Sequence, residues 1–421
     1  MGVVRIATAF TVAVLSFSSV AMAAERSLVP FGEFIASVAA AQSVPRVEGA
    51  VAGASAFAAM KAYIMELYAD VDAKAVTHSF VDANDTAFDC IPIMQQPGLR
   101  GWKGPLPQPP HLPPTNGASA PAGAEQKNPF GADKKDRFGN AMVCSNGTIP
   151  MERITLERLA RFPSLDAFLR KKGAGADIHR HAFGYQSAAN LGGRSYLNLW
   201  DPAVRGANQI FSRSQHWYLA GSGSGLQSAE VGWQVWYNTT YPVLFVYWTA
   251  DNYGSTGCYN VCAAGRGGSF VQLNGVSWPV GGALSPWSTI SGPQYELDVG
   301  YYLYQGNWWL FVQGQAIGYY PGSNYRGGPL SKYATLVEYG GETATYSATS
   351  WPPMGSGNYA SAGFRRAAYQ RQITYYPTTG GASDARLTVI QEAPWDYTAV
   401  LNYYNAPWKE TLFFGGPGGT Y

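Results

Sequence analysis

Residues 295–313 have the sequence YELDVGYYLYQGNWWLFVQ, and this stretch decides the fold. Two runs rich in aromatic and β-branched residues, Tyr295–Tyr304 and Trp308–Gln313, flank the short segment Gln305–Asn307. Runs of this composition are typical of strands, and a short glycine-containing segment between two of them indicates a hairpin turn. The stretch therefore predicts two adjacent antiparallel strands.

Similar runs extend through the second half of the chain, from about His179 onward. They are bounded by Gly, Pro, Asn and Ser, and they comprise Gln209–Leu219, Ala229–Tyr237, Val243–Ala250 and Ala334–Tyr346. Several of these runs are apolar on both faces, which favours two packed sheets over an open meander. Charged residues make up only 13% of the chain, which agrees with a surface built from turns and aromatic residues. We therefore predict an all-β fold, an antiparallel β-sandwich.

The first residues have the composition of an export signal. A positive start is followed by an apolar run and by the cleavage pattern Ala21-Met-Ala23, so we predict a signal peptide, residues 1–23, that is removed after Ala23. No later segment reaches about 18 uninterrupted apolar residues, so no membrane-spanning segment is predicted. The net charge of +2 gives no reason to expect binding to nucleic acid. We predict a secreted protein.

Between the signal peptide and the strands, the chain has helical and linker composition. Phe31–Ala41 and Ser55–Tyr68 have apolar residues at helical spacing, and Ile154–Leu169 has the same spacing with a break at Pro163. Residues 101–125 are rich in Pro, Gly and Ala and predict a linker. The change in composition separates a partly helical segment, residues 24–175, from a β-domain, residues 176–421.

Export makes the four cysteines candidates for two disulfides. Three pairings are possible, and Cys90–Cys144 with Cys258–Cys262 keeps each bridge within one half of the chain. Cys-x3-Cys is also a possible zinc ligand pair, but no second Cys or His pair follows at zinc-finger spacing. We predict no metal and no cofactor.

Several common hydrolase mechanisms lack their sequence patterns. The chain has no Gly-x-Ser-x-Gly segment and no His-Glu-x-x-His segment. His216 could serve a Ser-His-Asp triad, but a histidine inside a strand between Gln215 and Trp217 is more often structural. Carboxylates remain as candidates for catalysis.

Two glutamates have the most suggestive settings. Period-2 alternation places Glu230, Gln234 and Trp236 on one face of a strand. Glu342 follows Gly340-Gly341, and glycine beside a carboxylate allows another backbone to come close. We therefore expect Gln234, Trp236, Gly340 and Gly341 to contact the substrate. Taken alone, a glutamate in a strand is more often part of a solvated face.

The order of motifs in the second half resembles the neprosin family of secreted proteins. The motifs are Glu230-Val-Gly-Trp-Gln-Val235, Tyr247-Trp-Thr-Ala-Asp251, Thr256-Gly-Cys-Tyr-Asn260, Gly306-Asn-Trp-Trp-Leu310, Ile317-Gly-Tyr-Tyr-Pro321, Glu338-Tyr-Gly-Gly-Glu342, Met354-Gly-Ser-Gly357 and Phe414-Gly-Gly-Pro-Gly418. Residues 89–97 and 144–150 are similar to motifs of the family's pro-segment. The chain departs from plant members in having no cysteine pair near its C-terminus.

This resemblance implies a jelly-roll-like sandwich that carries a catalytic glutamate pair. The pair matches Glu230 and Glu342, whereas the family motif gives Glu338, on the same predicted face, no role. The resemblance also implies hydrolysis of protein or peptide substrates after proline at acid pH, and inhibition by the chain's own pro-segment. We expect part of residues 101–140 to lie over the cleft.

A carboxylate pair suits this chemistry. Two glutamates within about 5 Å share one proton, so the ionised member can activate water while the protonated member donates to the scissile carbonyl. Two alternatives share the architecture. A β-sandwich glycoside hydrolase or lyase also uses two carboxylates, and a carbohydrate-binding module would use the aromatic face without turnover.

Overall fold

The structure is a computed structural model. It describes residues 27–47, 49–114, 123–171, 177–206, 208–237, 239–273, 278–405 and 407–420. The predicted signal peptide and residues 115–122 of the predicted linker lie outside these ranges.

The N-terminal segment combines short helices with a small sheet. Its elements are α1 (Phe31–Ala40), α2 (Ala54–Leu67), β1 (Ser79–Val81), β2 (Ala87–Pro92), β3 (Ala124–Glu125), β4 (Gly131–Lys135), β5 (Ala141–Met142), β6 (Thr148–Glu152), α3 (Leu156–Leu159) and α4 (Leu165–Leu169). The predicted helices are confirmed to within two residues at α1 and α2, and the break at Pro163 separates α3 from α4. Thr155 and Ser164 cap α3 and α4 by accepting a backbone N–H.

The remaining strands form the β-domain. They are β7 (Ile178–Asn198), β8 (Gln209–Ala220), β9 (Gln227–Trp236), β10 (Val243–Thr249), β11 (Val271–Gln272), β12 (Tyr295–Tyr304), β13 (Asn307–Val312), β14 (Gln315–Pro321), β15 (Ala334–Thr345), β16 (Ser350–Trp351), β17 (Ala368–Pro377), β18 (Ser383–Asp384), β19 (Thr388–Gln391), β20 (Thr398–Tyr403), β21 (Glu410–Gly415) and β22 (Gly419–Thr420). The predicted hairpin is confirmed, because β12 and β13 pair around a turn in which Gln305 and Gly306 have φ values of 48° and 74°.

The strands form two sheets that share β7. The first half of β7 pairs with β15 and β19, which gives a first sheet in the order β10-β9-β8-β15-β7-β19. The second half pairs with β12 and β17, which gives a second sheet in the order β21-β17-β7-β12-β13-β14-β11. Tyr218 of the first sheet meets Trp308 and Tyr301 of the second, so the core lies between them. The predicted antiparallel β-sandwich is confirmed.

The alternation of side chains along β9 places the candidate site outside this core. Val231 and Trp233 are buried between the sheets. Glu230 and Gln234 therefore face the other side of the first sheet, where the N-terminal segment packs. Leu106 and Leu112 of the linker pack against a hydrophobic cluster that contains Trp309 of the second sheet. Residues 106–112 therefore do not cover the glutamates, and the expectation that part of residues 101–140 lies over the cleft is wrong for this stretch.

Both predicted disulfides are present, Cys90–Cys144 in the N-terminal segment and Cys258–Cys262 in the β-domain. Within the described residues, none of the helices has the length and apolar character needed to cross a membrane.

Candidate active site

Glu230 and Glu342 come together on the outer face of the first sheet. Both pair with β8, where Glu230 lies opposite Trp217 and Glu342 opposite Arg213. Both carboxylates are fully buried, and one ammonium group, that of Lys171, bridges them. Its Nζ lies 2.7 Å from Glu230 Oε2 and 3.0 Å from Glu342 Oε2. The two glutamates singled out from the sequence therefore face each other across a single cation.

Hydroxyl groups surround the other oxygen of Glu230. Ser228 Oγ and Tyr253 OH donate hydrogen bonds to Glu230 Oε1 at 2.8 and 2.9 Å. Burial and the charge of Glu230 raise the pKa of Tyr253 well above its usual value, so the phenol keeps its proton. These contacts orient Glu230 by neutral donors.

The loop that presents Tyr253 is built around Asp251. Its carboxylate accepts hydrogen bonds from the backbone N–H groups of Gly254, Ser255 and Thr256. Burial opposes ionisation, but bonds from Thr256 and Ser255 outweigh it and lower the pKa of Asp251. Tyr253 itself has a φ of 62°, which an L residue rarely adopts, so the loop holds it in a defined position. This explains the structural role of the segment that ends at Asp251.

Glu342 is surrounded by groups that favour its ionised form. Gln215 Nε2 donates to Oε2 at 2.5 Å, and Arg213 Nε lies 3.6 Å from the same oxygen. On the other side, His179 Nδ1 and His181 Nε2 lie 2.6 and 3.3 Å from Oε1.

The charges around Glu342 determine its protonation. Burial opposes ionisation of Glu342, but Lys171, Arg213 and His181 outweigh it and hold its pKa well below the usual range. Conversely, burial favours neutral His181, but the carboxylates of Glu342 and Glu392 raise its pKa to about 9. Glu342 is therefore a carboxylate held ionised by several cations.

Sequence reasoning missed most of these partners. Lys171, His179, His181 and Gln215 form the immediate environment of Glu342, and none had been singled out as a site residue. The pattern His179-x-His181 could have indicated a pair of site histidines, because residues two apart share one face of a strand. No sequence pattern indicates Lys171 as a site residue, since its position depends on how the N-terminal segment docks.

The other predicted contact residues divide into two groups. Gln234 shares the face of Glu230, and Trp236 lies further along the same strand in edge contact with Phe211 and Tyr259. The glycines have packing roles. A Cβ on Gly340 would lie 2.5 Å from the carbonyl oxygen of Ala182, and one on Gly341 would lie 2.5 Å from Met354 Sδ in the core.

Glu338 shares the face of Glu342, as the alternation predicted. Burial raises its pKa to about 7. Glu338 on β15 lies opposite Trp217 on β8, and Glu230 on β9 lies opposite the same tryptophan on the other side of β8. Glu338 is thus a third carboxyl group near the pair.

His216 lies in the core and not in this cleft. Its Nε2 lies 2.7 Å from Ser195 Oγ, and its Nδ1 faces the hydroxyl of Tyr218 at 3.1 Å. Burial lowers the pKa of His216 to about 3. Both Ser195 and His216 are fully buried, so the pair has a structural role and no contact with substrate.

The end of the N-terminal segment covers the cleft. Phe162 packs edge-on against Trp236, and α4 leads from there to Lys171. The backbone N–H of Lys171 donates to Tyr247 OH at 3.2 Å, and its ammonium lies over the rings of Trp217 and Tyr253. Lys171 is only 5% exposed. Residues 162–171 therefore occupy the space in front of both glutamates.

The fold and the site define a β-sandwich with a buried pair of glutamates on one outer face. The Neprosin family model matches residues 208–417, which include both glutamates. The chain belongs to the neprosin family, as the motif order indicated.

Two solved structures are similar to the chain. One is a crystal structure of scytalido-glutamic peptidase with a transition state analog inhibitor, at 11% identity and a TM-score of 0.32. The other is of the same peptidase with a peptide based transition state analog, at 10% identity and a TM-score of 0.30. Each match covers 56% of this chain and 98% of the other.

Proposed function

We propose that the protein is a secreted glutamic endopeptidase that is made as a zymogen. Membership of the neprosin family supports a peptidase of the glutamic type and favours it over the glycosidase and carbohydrate-binding alternatives. The observation that carries the proposal is the buried pair Glu230 and Glu342, which share one ammonium group from Lys171. Two disulfides agree with the predicted export to an oxidising compartment.

The environments of the two glutamates suggest different roles. With Lys171 withdrawn, a water molecule fits the position of its ammonium between the carboxylates. Glu342 stays ionised because His181 and Arg213 remain beside it, and it acts as the general base. Glu230, surrounded by the hydroxyls of Ser228 and Tyr253, carries the shared proton and acts as the general acid.

The reaction follows from these roles. Glu342 takes a proton from the water, whose oxygen bonds to the scissile carbonyl carbon. Glu230 gives its proton to the carbonyl oxygen, which neutralises the developing oxyanion. Collapse of the tetrahedral intermediate breaks the C–N bond. The proton held by Glu342 passes to the leaving amine, and Glu230 recovers the hydroxyl proton. Because the dyad must hold one proton, activity belongs to acid pH.

The zymogen proposal rests on Lys171. Its ammonium occupies the position that the reaction requires for water, and Phe162 covers Trp236 next to it. Lys171 ends the described part of the N-terminal segment, and β7 begins at Ile178, so the predicted division between the two segments at residues 175 and 176 falls between them. Cleavage between Lys171 and β7 would release the covering segment.

Cleavage after proline is the proposed specificity, and the family resemblance supports it. The linker supplies candidate sites after Pro107, Pro110 and Pro114. Leu106 and Leu112 hold this part of the linker on the second sheet, remote from the glutamates. We therefore expect any self-cleavage here to occur between two molecules or after the segment has been released.

Peptide mapping tests the proposal. The protein is incubated at about pH 4, where a proton-sharing dyad is active, with casein and with a proline-containing peptide, and the fragments are identified by mass spectrometry. We expect cuts after proline in the wild type and none with Glu342→Gln. Glu338→Gln is the matched control, since it removes a carboxylate from the same strand face and should keep the cuts. Fragments that persist with Glu342→Gln would contradict the proposal.

A further inference from the structure

A cluster of two histidines and one carboxylate lies at the edge of the glutamate pair. His179 Nδ1 and His181 Nε2 lie 2.6 and 3.3 Å from Glu342 Oε1, and the three ligand atoms lie within 4.8 Å of one another. Imidazole nitrogens with one carboxylate oxygen are a donor set typical of zinc, with a further position left open. We propose that His179, His181 and Glu342 form a binding site for a divalent transition metal, with zinc as the best match.

The backbone holds the three ligands on rigid elements. His179 and His181 alternate along β7 and share one face, and Glu342 lies directly opposite His181 on β15. A tetrahedral zinc ion about 2.1 Å from each ligand places the ligand atoms about 3.4 Å apart. The observed separations of 2.6 and 3.3 Å are both shorter than this, so zinc binding requires the imidazole rings to move away from Glu342 by side-chain rotation.

The second nitrogen of each ring also has the partner that a metal site needs. His179 Nε2 lies 2.9 Å from Asp177 Oδ2, and His181 Nδ1 lies 2.7 Å from Glu392 Oε2. Metal-binding histidines almost always donate this N–H to a carboxylate, carbonyl or water, which fixes the tautomer. Binding of a metal ion releases the protons on the inner nitrogens, and both nitrogens and Glu342 Oε1 then direct lone pairs at the ion while the outer nitrogens keep donating.

The second oxygen of the Glu342 carboxylate also has a hydrogen-bond partner. Gln215 Nε2 donates to Glu342 Oε2 at 2.5 Å, which leaves Oε1 for the metal. The proposed peptidase reaction gives no role to Asp177 or Glu392, whereas a metal site gives each a definite one.

Lys171 determines when a metal ion can bind at this site. Its ammonium lies 3.0 Å from Glu342 Oε2, so its charge opposes a metal on the same carboxylate while the N-terminal segment is docked. Release of Lys171 opens the site. A metal bound there engages Glu342 as a ligand and so withdraws the proposed base from catalysis, which makes it a reversible inhibitor of the released enzyme.

Calorimetry with the full chain tests the proposal. ZnCl2 is titrated at about pH 7.5 into tag-free wild type and Lys171→Met, in a buffer that takes up the protons released when zinc binds. We expect one zinc ion per chain with Lys171→Met and weaker binding with wild type. In the Lys171→Met background, Glu392→Gln should weaken binding about 10- to 100-fold, and His181→Asn should abolish it. His111→Asn, which removes an exposed linker imidazole, is the control and should change nothing.

A spectroscopic readout separates this site from adventitious binding. Co²⁺ bound by this ligand set is expected to show the visible absorption bands of a tetrahedral or five-coordinate ion, and zinc should displace it. Absence of zinc binding to Lys171→Met, or equal affinity with His181→Asn or with the half-exposed Glu392→Gln, would overturn the proposal. Neither readout depends on turnover, so it can fail or succeed independently of the proposed peptidase activity.

Discussion

Replacement of Lys171 by methionine is the most informative perturbation of the closed form. The substitution keeps the length and apolar stem of the side chain but removes the ammonium that lies between two fully buried carboxylates. Removal of one partner from a buried ion pair costs about 3–5 kcal/mol, because the remaining charge is left uncompensated. At about 1.4 kcal/mol per factor of ten, docking of the N-terminal segment should weaken about 10²- to 4 × 10³-fold.

The pH dependence gives a second signature. In the closed form Lys171 lowers the pKa of Glu342 relative to the open form. A lowered pKa stabilises the closed form at pH values above the open-form pKa, and this stabilisation is lost as the pH falls through the closed-form pKa. Wild type should therefore open on acidification. Lys171→Met lacks this stabilisation and should already be open at neutral pH.

Hydrogen exchange measured by mass spectrometry follows the opening directly. At about pH 7, which is above the range in which carboxylates normally titrate, amides of α3 and α4 should exchange much faster in Lys171→Met than in wild type. Lys74→Met, at an exposed lysine of the same segment, is the matched control. Equal protection of α3 and α4 in Lys171→Met and wild type would refute the assignment of Lys171 as the group that holds the segment closed.

Three further predictions concern groups around the site. Tyr253→Phe removes a hydroxyl that donates to Glu230, and kcat should fall about tenfold, the equivalent of one lost hydrogen bond. An unchanged kcat would show that Tyr253 does not contribute to catalysis. Ser195→Ala should cost about 1 kcal/mol in thermal unfolding and leave peptidase activity unaltered, since its bond to His216 is buried; loss of activity without loss of fold would revive a serine mechanism. In denaturant unfolding, loss of Cys90–Cys144 should lower the free energy of unfolding by about 4 kcal/mol and loss of Cys258–Cys262 by about 2 kcal/mol, because the first closes a much longer loop. The reverse order would contradict the loop-entropy argument.

Local patterns in the sequence predicted much of the β-domain. Gln209–Leu219 and Tyr295–Tyr304 became β8 and β12 because apolar and aromatic runs between turn residues form strands whatever their partners. The bounds of β7 were not predicted. This 21-residue strand contains Gly192 and Gly193 and is only partly apolar, and it is stabilised by pairing with four other strands.

The two glutamates of the candidate site could be predicted from the sequence, but the residues that surround them could not. The period-2 alternation and the motif order pointed to Glu230 and Glu342. Their shared counter-ion, Lys171, lies 59 residues from Glu230 in the chain, and its contact depends on the docked position of α4. The glycines beside Glu342 were expected to let a substrate backbone come close. Their close neighbours in the structure are Ala182 and Met354 of the protein itself, and contact with substrate stays a prediction.

The pH dependence of kcat/KM for the acid-released enzyme tests the central claim, a catalytic pair formed by Glu230 and Glu342, most directly. A quenched fluorescent peptide containing proline serves as the substrate, and the apparent pKa values belong to the pair. We predict a bell-shaped profile at acid pH, and a loss of about 10²- to 10⁴-fold with Glu230→Gln or Glu342→Gln, while Glu338→Gln keeps the profile. A Glu230→Gln or Glu342→Gln enzyme that retains the wild-type profile would contradict the claim.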